Sequence, residues 1–65
     1  MKRRELIKHL KDNGCKLLRE GESHSRWWNP ELGTRTAVPR HTEINNITAQ
    51  KICKALGIPR LLKKS

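Results

Sequence analysis

No run of apolar residues in this chain is longer than two. A membrane-crossing helix needs about 20 predominantly apolar residues in succession, so none is expected. No apolar h-region follows the charged start Met1-Lys2-Arg3-Arg4-Glu5 either, and the chain is expected in the cytoplasm with no membrane partner. Whatever core it forms must be gathered from scattered positions. With 65 residues, 34% of them apolar, there is room for one domain over 1–65 and one thin core, such as a sheet covered by two helices. A deep pocket for a large cofactor is not expected.

The scattered positions have readable periods. Leu6, Ile7 and Leu10 recur at helical spacing among charged residues, and Asp12-Asn13-Gly14 closes them. This predicts a helix over 3–13 with Gly14 in the left-handed position past its end. Ala49, Ile52, Cys53 and Leu56 form a second stripe, opened by Asn45-Asn46, ended by Gly57 and followed by Ile58-Pro59. Between the helices, 15–20, 23–28 and 34–38 read as short strands, the last stopped by Pro39. Gly21-Glu22 and 29–33 supply the turn residues. The expected class is α+β, in the order α-β-β-β-α: a three-stranded antiparallel sheet with both helices packed on one face and the other face open to solvent. Segment 60–65 is expected to be a frayed basic tail.

Charge narrows the partners. Fifteen Lys and Arg against six Asp and Glu leave a net +9, the footprint of a protein that meets a polyanion: RNA, DNA, an anionic membrane or an acidic protein. Lys2, Arg3, Arg4, Lys8 and Lys11 crowd the first helix, where a solvated charged face is the plainer reading. Arg26, Arg35 and Arg40 are expected around the open sheet face. Cys15 and Cys53 form no C-x-x-C pair and read as packed, inert thiols rather than zinc ligands. The six carboxylates make no cluster suited to Mg²⁺, and no Gly-rich phosphate loop is present. No metal and no cofactor are expected.

The segment Ser23-His24-Ser25-Arg26-Trp27-Trp28 concentrates the chemistry. Side chains alternate along a strand, so His24, Arg26 and Trp28 share one face and Ser25 and Trp27 the other. If Trp27 is the buried tryptophan, the exposed face offers a proton-transfer group, a phosphate ligand and a stacking surface in a row, a trio suited to RNA. If Trp28 is buried instead, His24 points inward and catalysis is disfavoured. His9, four residues after Glu5, reads as a helix-surface ion-pairing residue. His41, just after Pro39-Arg40, either approaches the open face or caps local backbone.

Three segments together resemble the HicA toxins of bacterial and archaeal toxin–antitoxin systems. They are the helix ending in Asn13-Gly14, then Gly21-Glu22-Ser23-His24 with its aromatic strand and Asn29-Pro30, then Val38-Pro39-Arg40-His41 with Glu43-Ile44 and a closing helix ending Leu56-Gly57-Ile58. The resemblance spans nearly the whole chain. It implies a double-stranded-RNA-binding-like (dsRBD-like) α-β-β-β-α fold, metal-independent endoribonuclease action on mRNA that arrests translation and growth, and a HicB-type antitoxin that neutralises the toxin. The family's catalytic histidine falls on His24, although Glu22 interrupts the family's Gly-Ser-His tripeptide here. Under this reading His24 is catalytic, and Arg26, Trp28, Arg35, Arg40 and His41 bind RNA. Two other classes remain open from the residues alone: a non-catalytic RNA- or DNA-binding module, and an interaction subunit that docks a partner through a tryptophan.

Overall fold

The computed structural model of the chain describes residues 1–61. Each apolar stripe becomes the buried side of an element. Helix α1 spans Arg3–Asp12 and hides Leu6 and Leu10 completely. Strands β1 (Lys16–Glu20), β2 (His24–Asn29) and β3 (Thr34–Pro39) follow, then helix α2 (Asn46–Leu56), which buries Ala49, Ile52, Cys53 and Leu56. The sheet is an antiparallel meander in the order β1-β2-β3. This is the α+β, dsRBD-like order α-β-β-β-α. The expected tail lies, from residue 62 onward, outside the described residues.

Both helices stop in the same way, and the sequence says why. After α1, Gly14 takes φ +82°, its N–H meets the Lys11 carbonyl at 3.0 Å and the Cys15 N–H meets the Leu10 carbonyl at 2.9 Å. After α2, Gly57 takes φ +74°, with Gly57 N–H on Lys54 O at 3.1 Å and Ile58 N–H on Cys53 O at 3.1 Å. These are Schellman closures, which need a residue that tolerates positive φ. Asn45 starts α2, its side chain accepting from Ile47 N–H at 2.7 Å.

The core is one cluster: Leu6, Leu10, Cys15, Trp27, Val38, Ile44, Ala49, Ile52, Cys53 and Leu56. Trp27 is therefore the buried tryptophan, 5% exposed. Its indole N–H has no acceptor among the described residues. Cys15 and Cys53 are buried free thiols. Burial pushes both up from their ordinary value, Cys15 further by the neighbouring Cys53, so neither offers the thiolate that nucleophilic chemistry needs at neutral pH.

Two ties were not visible as periods. Residues 1–3 run antiparallel to 42–44: Ile44 N–H to Met1 O at 2.8 Å, Arg3 N–H to Thr42 O at 2.8 Å, and a Lys2–Glu43 ion pair at 3.1 Å. The Lys2 ammonium holds the Glu43 carboxyl below its usual range. His9 donates from Nε2 to the Pro59 carbonyl at 2.6 Å, tying α1 to the segment after α2.

Asn29, buried at the end of β2, locks α2 to the sheet. Its Nδ2 donates to the Leu56 carbonyl at 3.0 Å while its Oδ1 accepts from Glu31 N–H at 3.1 Å; Thr34 Oγ1 donates to the same Leu56 carbonyl at 2.8 Å. The last carbonyls of a helix have no partner within it. Asn29→Ala is expected to lower stability by about 1–3 kcal/mol, because it removes two hydrogen bonds at a buried position, the one to Leu56 O and the one from Glu31 N–H. Thr34→Ala should cost less, since it removes one such bond rather than two. Equal denaturation midpoints for wild type and Asn29→Ala would show that this link carries no stability.

Candidate functional site on the open sheet face

The burial of β2 alternates strictly from His24 to Trp27: His24 and Arg26 are exposed, Ser25 and Trp27 buried, then Trp28 half-buried and Asn29 buried. With Trp27 in the core, His24 faces outward with Arg26 and Trp28. Successive same-face residues on a strand lie about 7 Å apart, so the three side chains form a row, of which His24 and Arg26 line one hollow and Trp28 does not.

Cross-strand register fills in the rest. Opposite His24 stands Pro39; opposite Arg26 stand Arg19 and Ala37; opposite Trp28 stand Lys16 and Arg35. The face carries Arg19, Arg26 and His24 at one end and a half-buried indole flanked by Lys16 and Arg35 at the other. A hollow of about 490 Å³ opens at the His24 end, walled by Arg19, Arg26, Ala37 and the turn Gly21-Glu22-Ser23. Its two guanidiniums can take phosphate oxygens, and Trp28 has a π-face and two neighbouring cations against which a base can stack.

Arg19 was missed by alternation, and the cause is a bulge. Leu17 pairs with Trp27, but Arg19, not Leu18, pairs with Arg26, so the register shifts between Leu17 and Arg19. The extra residue turns Arg19 to the open face and Glu20, opposite Ser25, to the other. Bulges re-aim side chains in this way. No sequence signal marks Leu18 as the extra residue.

Glu20 then anchors a polar network under the turn that carries His24. Ser25, completely buried, donates its hydroxyl to Glu20 and accepts from Arg3 Nη2 at 2.9 Å. Arg3 Nε donates to Pro39 O at 2.8 Å. Arg40 Nε lies 3.4 Å from Glu20 Oε1 and its Nη1 donates to Gly21 O at 2.9 Å and Glu22 O at 3.5 Å. Gly21 N–H donates to the His24 carbonyl at 2.8 Å and Arg40 N–H to the Ser23 carbonyl at 3.2 Å. A Cβ at Gly21 would stand 2.7 Å from the His24 carbonyl oxygen. Glycine is thus required here by close approach, not by φ.

Of the residues singled out in the sequence, His24 and Arg26 come together in the hollow, and Trp28 and Arg35 adjoin each other further along the same face. Arg40 does not stand free above the sheet; it clamps the His24 turn from the side. His41 is exposed and does not line the hollow. Among the described residues, no three His, Cys, Asp or Glu side chains gather as a metal-ligand set, and no helix is long and apolar enough to cross a membrane.

Comparison with curated proteins finds no match, and comparison with solved structures finds none. The family model of the HicA toxin of bacterial toxin–antitoxin systems matches residues 3–58. That span begins on the first residue of α1 and ends on Ile58, whose N–H closes α2. It takes in the His24 turn, the network beneath it and the whole open face, and the chain therefore belongs to the HicA toxin family.

Proposed function

We propose that this toxin is a metal-independent endoribonuclease that cleaves mRNA in the cytoplasm, halting translation and growth until a HicB-type antitoxin covers it. The observation that carries the reading is the exposed imidazole of His24 in a hollow with two guanidiniums, Arg19 and Arg26, in a chain of +9 net charge that belongs to a toxin family. RNA carries its own nucleophile. The ribose 2′-oxygen attacks the adjacent phosphorus, the P–O5′ bond breaks, and the 5′-oxygen leaves with a proton. His24 either takes the proton from the 2′-hydroxyl or delivers one to the 5′-oxygen. Arg26 and Arg19 offset the charge that builds on the phosphorus oxygens. Trp28 stacks a neighbouring base between Lys16 and Arg35, while Arg40 and His41 meet RNA beyond the hollow. An antitoxin that occupies the same basic face competes with RNA directly.

The chemistry dictates the test. Purified toxin in excess EDTA is incubated with an mRNA transcript and with DNA of the same sequence. The expected products are RNA fragments with 2′,3′-cyclic phosphate and 5′-hydroxyl ends, with the DNA untouched because it lacks the 2′-hydroxyl. Cleavage of both polymers, or fragments with 5′-phosphate ends, would exclude attack by the 2′-oxygen. Binding without any cleavage would leave a nucleic-acid-binding module.

A further inference from the structure

The cations of α1 are not simply a solvated face. Together with the segment after β3 they wall a second concavity of about 730 Å³, larger than the one at His24. Six cations line it: Lys2, Arg3, Arg4, Lys8, Lys11 and Arg40. No carboxylate does. Lys2 pairs with Glu43 and Lys8 with Asp12, both on exposed ground, and such pairs are weak and easily exchanged. Arg3 and Arg40 are committed to the network under the turn. Arg4, Lys8 and Lys11 recur at i, i+4 and i+7, on one side of the helix, and all three are exposed.

From this we infer that the α1 groove is a backbone-binding track for the RNA chain, which guides it over Arg40 to His24. The inference rests on the ribonuclease reading for its direction, but the groove's ligand chemistry, a run of phosphodiesters, stands on its own residues. Arg40 links the groove to the hollow. It lines the groove and holds the carbonyls of Gly21 and Glu22, which wall the His24 hollow. From Arg4 to Lys11 the helix rises about 10 Å, a length over which one strand of a duplex carries about three phosphates. An acidic protein is the weaker fit. Protein interfaces centre on aromatic and apolar anchors and are depleted in Lys, whereas three of these six cations are Lys and Ile7 is the only large apolar side chain in the lining. Phosphate contacts ask only for positive donors along a path, since they position a chain without reading its sequence.

Arg4→Ala combined with Lys11→Ala tests the groove without disturbing the core, because both side chains are exposed. Binding is measured with 2′-O-methyl RNA, which the enzyme cannot cleave, across a salt series. The double variant is expected to bind about tenfold more weakly at moderate salt. Its slope of log affinity against log salt should fall by about 1.4, the value for two phosphate contacts on a single strand. Lys51→Ala with Lys54→Ala, the same loss of charge from exposed sites on α2, should change the slope far less. Cleavage of a dinucleotide, too short to reach the groove, should be unchanged in Arg4→Ala/Lys11→Ala. An unchanged slope and affinity in that variant would overturn the track, as would equal losses in the two double variants. Loss of antitoxin binding with RNA binding intact would reassign the groove to a protein and also overturn it. A wild type that cleaves nothing would sink the nuclease reading alone, because the binding series still decides the groove.

Discussion

His24→Ala is expected to leave the protein folded and to cut RNA cleavage by about 10²–10⁴-fold, the usual contribution of one positioned proton-transfer group. The side chain is exposed at the start of β2 and lies outside the hydrophobic cluster, so its removal should not cost stability. Arg19, Arg26 and the stacking surface around Trp28 remain, and RNA affinity should stay close to wild type. The clearest measurement pairs single-turnover cleavage of a transcript with growth after controlled expression, at matched protein abundance. Wild type should arrest growth and fragment mRNA, and His24→Ala should do neither. If the variant cleaves as fast as wild type, proton transfer does not pass through His24, and His41, the other exposed histidine, becomes the group to test. If neither protein cleaves but both bind RNA with the same salt dependence, the open face is a binding module.

The parts of this fold that were legible are those set by one residue's neighbours along the chain. Helix stripes at Leu6 and Leu10 and at Ile52 and Leu56, left-handed stops at Gly14 and Gly57, and the alternation of β2 all follow from local rules, and the structure keeps them within a residue or so. The same alternation put His24, Arg26 and Trp28 on one face and left the choice between the tryptophans open. Packing settled it, by seating Trp27 against the helices. What stayed hidden depends on contacts far apart in sequence. The pairing of 1–3 with 42–44 joins two polar segments that carry no period of their own. The bulge at Leu18 reverses the faces of Arg19 and Glu20, and nothing in Lys16-Leu17-Leu18-Arg19-Glu20 distinguishes a regular strand from a bulged one. Arg40 was legible as a cation beside the sheet. Its commitment to Glu20 and to the turn's carbonyls requires knowing that the bulge has brought Glu20 under Ser25.

That network makes Gly21 the most sensitive position that touches no substrate. Gly21→Ala adds a Cβ 2.7 Å from the His24 carbonyl oxygen, and the obstacle is backbone, which cannot swing aside as a side chain could. The turn must open. The bond from Gly21 N–H to that same carbonyl, 2.8 Å long, holds the two strands together at this point, so opening shifts the start of β2 and His24 with it. Arg40 adds to the effect, because it grips Gly21 O and Glu22 O on one side and Glu20 on the other, and the turn cannot move as a rigid unit. A displacement of about 1 Å at a reacting group can cost 10²-fold, and a loss of about that size in kcat is expected for Gly21→Ala. KM for a long RNA should change little, because the Arg26, Trp28 and α1 surfaces are untouched. Cooperative unfolding should persist, since Gly21 lies outside the hydrophobic cluster. The decisive comparison is with Gly33→Ala, at the next hairpin, where φ is +72° but a Cβ would meet nothing within 4 Å. That change strains the chain without moving His24, and it should lower the midpoint of unfolding while leaving kcat near wild type. If Gly21→Ala kept full kcat, His24 would not depend on the turn's close packing, and the Arg3–Ser25–Glu20–Arg40 network would be a stabilising feature alone.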